Sequence, residues 1–136
     1  MAKKVEELQC WQLADQLRSE VIAICAQKSV SLHFKFCAGF TEAAGSVCHN
    51  LSEGVARYHS AFIVQFFNYA LGSLGEVEDY LKECLERSFI SNERFLKDLE
   101  LCEHTRAKTL KFMQFHERKL KTRRSGRKLQ LPDSTG

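Results

Sequence analysis

Phosphate binding is the first chemistry that the residue types suggest. Lys119, Lys121, Arg123, Arg124, Arg127 and Lys128 put six positive charges into ten residues, and Arg106, Lys108, Lys111 and Arg118 precede them. Phosphodiester groups suit such a run, because each neutralised phosphate releases condensed counterions and makes binding fall with salt. On this reading Lys111, Arg118, Lys119, Lys121, Arg123, Arg124, Arg127 and Lys128 contact nucleic acid, RNA or DNA. Nothing in the run supports base-specific readout. Two blander readings stand beside it: a solvated tail with no partner, and attachment to an anionic membrane or an acidic protein.

Other chemistries find less support. His33 and Cys37 stand four apart, as do His49 and Glu53, so each pair could offer two metal ligands on one helical face. Two ligands fall short of a site, no Cys-x-x-Cys pair occurs, and Glu100 precedes His104 by four rather than by the three of a di-iron motif. With six Cys and five His, any Cys–His–carboxylate grouping can be chosen at will and says little. No Gly-rich phosphate loop, Gly-x-Ser-x-Gly elbow or His-Glu-x-x-His is present. The sequence predicts a protein that is not an enzyme, with no catalytic residue, cofactor or metal.

The elements that must carry the basic run are helical. The chain has 136 residues, 44% hydrophobic and 27% charged, which is enough for one globular core. Its net charge of +3 is unevenly spread. Residues 1–105 hold ten Lys/Arg against fifteen Asp/Glu, whereas residues 106–136 hold ten against two. A single proline, Pro132, leaves everything upstream free of a forced helix break. The stretch Met1–Leu17 has no apolar segment of the secretory type, and no run reaches the roughly 18–20 uncharged apolar residues of a membrane span. A cytoplasmic location with reduced, core-filling thiols and no membrane partner follows as the expectation.

Hydrophobic periodicity predicts an all-α, up-down-up-down four-helix bundle over residues 1–121 and a flexible basic tail over 122–136. The first helix should run from about Lys4 to Gln27 behind Leu8, Trp11, Ala14, Leu17, Val21, Ile24 and Cys25, with Ser29 or Ser31 capping the next. The second should run from about Leu32 to Val55, stopping at Gly54, with Ser60 as the following N-cap. The third, about Ala61 to Arg87, has Phe62, Phe66, Ala70, Leu74, Val77, Leu81, Cys84 and Leu85 as its face, with Ile63, Phe67 and Tyr69 widening it. So wide a stripe predicts burial on two sides, within the bundle and against another subunit. The fourth starts after Ser91 as N-cap, with Glu93 in its first turn, and runs to about Lys121.

Ala43-Ala44-Gly45-Ser46-Val47-Cys48-His49-Asn50-Leu51-Ser52-Glu53-Gly54 resembles the Ala-Ala-x-Ser-Ile-x-x-Asn-Ile-Ala-Glu-Gly motif of a known family. Ala70-Leu71-Gly72-Ser73-Leu74-Gly75-Glu76-Val77-Glu78 resembles its second motif at a similar spacing, and Leu8, Trp11 and Ala14 resemble its opening. The family is that of four-helix-bundle proteins encoded in intervening sequences of bacterial 23S ribosomal RNA genes, and the resemblance covers about residues 8 to 110. The chain is similar also to the accessory protein of diversity-generating retroelements. The family commonly has Pro where Cys48 stands and Gly where Ala56 stands, so an absent or softened mid-helix kink and an altered turn are expected here. Asn50 and Glu53, inside the first motif, are read first as structural, through an Asn–backbone contact and a Glu53–Arg57 pair, with a binding surface at the bundle end as the alternative.

The resemblance implies a homo-oligomer, most simply a ring-like pentamer, and brings no catalytic residue with it. The combined expectation is an oligomer of bundles that captures RNA or DNA through its basic ends, with Tyr58 and His59 near a bundle end available for stacking on unpaired bases. Two alternatives remain at this stage. One is a scaffold docking a protein such as a reverse transcriptase; the other is a selfish-element product with little host function.

Overall fold

The computed structural model describes residues 4–135, with side chains described through Ser125. It is all-α, and no strand occurs among the described residues. A short 3-10 turn, Val5–Glu7, leads into α1 (Gln9–Ala26); α2 (Lys28–Ser31), α3 (Phe34–Arg57), α4 (Ser60–Glu86) and α5 (Asn92–Thr135) follow. The four long helices pack in a closed circuit: α1 touches α3 and α5, and α4 touches α3 and α5.

The expected core forms, with shifts that have local causes. Leu8, Ala14, Leu17, Val21 and Ile24 are buried on the α1 side, while Trp11 and Cys25 are half-buried at its margin. Neither Ser29 nor Ser31 caps α3: both lie in the single turn of α2, and His33 precedes α3 without a side-chain cap. Gly54 does not stop α3 either. It is buried within the last turn of the helix, where an added Cβ would lie 3.2 Å from both Phe66 Cβ and Phe67 Cδ1, so its smallness serves the approach of α4. α3 ends instead at Tyr58, a left-handed residue with φ 54°. It stays unbroken through Cys48, which is buried, and through Ala56.

On α4 the buried line runs through Ile63, Phe67, Ala70, Leu74, Val77, Leu81 and Cys84. The expected line through Phe62 and Phe66 is therefore one residue off in the first two turns, and Phe62 is exposed. Both lines are aromatic or apolar, so periodicity could not separate them; Phe67 wins by stacking on Phe112 of α5, ring centroids 5.2 Å apart.

Ser91 caps α5 as expected, its Oγ accepting the Arg94 N–H at 3.1 Å. Glu93 sits in the first turn. The buried face of α5 is largely polar, comprising Asp98, Thr105, Thr109 and His116 beside Cys102. The threonines satisfy themselves, each hydroxyl donating 2.7 Å to the carbonyl four residues back. The backbone of α5 continues past Lys121 to Thr135, with no interruption at the boundary where the sequence places a flexible tail. Lys121, Arg123 and Arg124 are good helix formers and extend it without apolar periodicity.

Candidate nucleic-acid interface

The second half of α5 positions the basic residues. His116 is its last buried anchor among the described residues: Nδ1 shares a 2.8 Å hydrogen bond with Ser60 Oγ, and the ring lies 4.9 Å from that of Phe112. Ser60, expected as an N-cap, is thus the first residue of α4 and spends its hydroxyl on α5. Burial first, and the Lys119 charge second, hold the His116 imidazole below its ordinary pKa. A neutral ring fits a site at the positive end of α4. Beyond Leu120 the helix has left the bundle, and Lys121 through Ser125 are all exposed.

Lys111, Arg118, Lys119, Lys121, Arg123 and Arg124 are all exposed. Among the described residues none of the six makes a salt bridge. Arg127 and Lys128, also expected at the site, lie outside the described side chains. Glu117 is the one carboxylate between Arg106 and Ser125, so this stretch presents a field of one sign. Arg118, Lys119, Thr122 and Arg123 line a shallow open groove with Phe115. The Lys119 ammonium sits 5.0 Å from the centroid of that ring, a cation–π contact the sequence did not single out.

Arg106 does not belong to this set. Its guanidinium pairs with Glu78 of α4, which is one-sixth to one-fifth exposed, and that hydrogen bond raises the Arg106 pKa. Further back, Arg94 bridges Glu20 of α1 and Asp98, and Lys97 joins Glu20 at 3.3 Å. Desolvation raises the Asp98 pKa, against the opposing pull of Arg94.

The residues weighed for other chemistry are placed structurally. Asn50 Nδ2 donates to the Ser46 carbonyl at 2.9 Å, and Arg57 pairs with Glu53 at 3.0 Å, the contacts expected for both. His33 is exposed beside Phe89, and the Cys37 thiol donates to the Val30 carbonyl at 3.4 Å. Among the described residues no three His, Cys, Asp or Glu side chains converge as metal ligands. Burial pushes Cys10 and Cys48 up to about 11 and Cys25, Cys84 and Cys102 up to about 12, so these five are thiols at neutral pH.

The two motif segments face one another across the α3–α4 contact. Ser46 Oγ and Ser73 Oγ are 2.8 Å apart, and Gly54 receives Phe66 and Phe67. An all-α bundle whose α3–α4 contact runs through these segments, with a basic run on the end of one helix, is the class of molecule the geometry defines. The 23S rRNA-intervening sequence protein model matches residues 6–111, and the chain belongs to that family. No curated protein matches it. The match ends at Lys111, so most of the basic stretch lies outside it. No helix among the described residues is long and apolar enough to cross a membrane.

Proposed function

We propose that the protein is a non-enzymatic, cytoplasmic nucleic-acid-binding oligomer that captures phosphates through the basic second half of α5. The observation that carries this reading is the contrast in pairing: Arg94, Lys97 and Arg106 are spent on carboxylates of the bundle, whereas the six exposed cations from Lys111 to Arg124 are not. Lys28, Lys35, Lys82 and Lys108 are also exposed without a salt bridge among the described residues. It is therefore the clustering of the six on one helix end that favours a phosphate backbone, which supplies counter-charges in a row. Six free thiols suit a reducing compartment.

The bundle is read as up-down-up-down: Ser46 meets Ser73, Gly39 meets Tyr80, Ser60 meets His116 and Glu78 meets Arg106, each pair falling in antiparallel order. Assembly into a homo-oligomer, a pentamer by family resemblance, would gather several basic ends and multiply their grip. The exposed Phe62 and Tyr69 on α4 support a subunit contact. Sedimentation or mass photometry tests this part, and a monomer at micromolar concentration contradicts it.

Filter binding of ribosomal RNA by the full chain, and by a chain ending at Leu120, tests the central reading. Affinity should fall steeply on truncation and on raising salt; equal affinity in both chains overturns it. A second reading, a scaffold that docks another protein, draws on Leu32 and Phe34, which are 75% and 79% exposed near the start of α3. A stoichiometric protein partner retained after nuclease treatment would favour it.

A further inference from the structure

The phosphate reading accounts for the cations but leaves the rings among them unexplained. Phe115 is 47% exposed on the very face that carries Arg118, Lys119 and Arg123. Tyr58, 64% exposed, projects from the α3–α4 corner two residues before Ser60, whose hydroxyl joins His116 beside Phe115. The Ser60–His116 bond thus brings both rings to the end of the bundle from which the basic helix emerges. Tyr58 also occupies a left-handed backbone position with φ 54°, where glycine or asparagine is the unstrained choice. A bulky ring kept there and left in solvent contributes nothing to the core.

We propose that Phe115 and Tyr58 are stacking platforms for unpaired bases, so that the basic end takes single-stranded nucleic acid in preference to duplex. This rests on the phosphate reading and adds the class of ligand to it. A duplex shows phosphates outside but keeps its base faces inside the stack, so an exposed ring among cations has no counterpart on it. A single strand offers a phosphate and a flat π-face at each nucleotide, and an aromatic ring takes any base without regard to sequence. A lipid surface fits less well. An interfacial helix needs a continuous apolar face beside its cations. Phe115 does share a groove with Leu8, Cys10 and Phe112 on the bundle side. Beyond it, however, the exposed residues of α5 among the described ones are Arg118, Lys119, Lys121, Thr122, Arg123, Arg124 and Ser125, so no apolar face continues along the helix there.

The test uses the full chain, a labelled 20-nucleotide poly-uridine strand and a duplex RNA of equal length, at two salt concentrations. The single strand should bind at least about 5-fold tighter than the duplex, and Phe115→Ala should cut single-strand affinity by about 5-fold or more. Phe115→Trp should restore it. Because no cation is removed, the slope of log affinity against log salt should not change in these variants. Tyr58→Gly serves as the second arm: relieved of its backbone strain, it should melt no lower than the parent and still lose single-strand affinity. Equal binding of strand and duplex, with salt-sensitive affinity untouched in Phe115→Ala and Tyr58→Gly, overturns stacking and leaves phosphate capture standing. Absence of binding to either RNA at low salt overturns both. Loss of oligomer mass without loss of single-strand affinity also overturns stacking, because the rings then serve a subunit contact.

Discussion

Helix α5 uses the same residue types in two opposite ways along its length. Between Asn92 and Thr109, Arg94, Lys97 and Arg106 reach Glu20, Asp98 and Glu78, and the buried face holds Asp98, Thr105 and Thr109. From Leu110 to Ser125, Lys111, Arg118, Lys119, Lys121, Arg123 and Arg124 meet no carboxylate among the described residues. Apart from Lys108, which is exposed and makes no salt bridge among the described residues, the cations of the first stretch fix how α5 lies against α1 and α4. The second keeps its charge for the outside. A count of lysines and arginines cannot make that distinction; only the partners can.

The largest effect should come at the seam between the two stretches. Phe67 is fully buried and stacks on Phe112, so Phe67→Ala should cost about 3–5 kcal/mol in urea unfolding. Hydrogen exchange in that variant sharpens the comparison: amides of the first stretch should lose protection, while those beyond Leu120 should exchange fast in both proteins. Next in size, Arg94→Gln strips Asp98 of the one side-chain hydrogen-bond partner it has among the described residues, where Asp98 Oδ1 has none. A loss of about 2–3 kcal/mol is expected, with RNA affinity unchanged. Asp98→Asn should cost less, within about 1 kcal/mol, because burial already disfavours the charge. Affinity loss in Arg94→Gln to match its stability loss would erase the division between the stretches.

The smallest effect concerns pH. His116 has a depressed pKa when folded, so the unfolded chain takes up the proton more readily than the folded one. Its contribution to stability is present above the unfolded value, about 6.5, and is lost as pH falls through the lower folded value. Thermal melts from pH 7.5 to 5 should show this as a falling midpoint, and His116→Gln should flatten that part of the curve. An unchanged pH profile in the variant would remove His116 as the buried anchor of the second stretch.

Much of this was legible in the residues. The single proline and the three- and four-residue spacing announced helices, the two motif segments announced the family, and Ser91 announced the start of α5. The basic stretch was visible as composition. What stayed hidden depends on partners far away in sequence. Arg106 looked like one more cation until Glu78 stood beside it, 28 residues back. Thr105 and Thr109 are buried but escape any hydrophobic pattern, because they answer their own polarity within the helix. The register of α4 was ambiguous because Phe62 and Phe66 mimic Ile63 and Phe67 one residue away. Tyr58 ends α3 in a conformation that favours glycine, so Gly54 drew the prediction instead.

The most direct test of the division within α5 is the salt dependence of single-stranded RNA binding by two full-length proteins, the parent and a variant with Lys111, Arg118, Lys119, Lys121, Arg123 and Arg124 all changed to Gln. If all six cations meet phosphates, the slope of log affinity against log salt should become shallower by about 4, with the melting temperature little changed. An unchanged slope would contradict the account, because the charge that binds RNA would then lie elsewhere on the molecule.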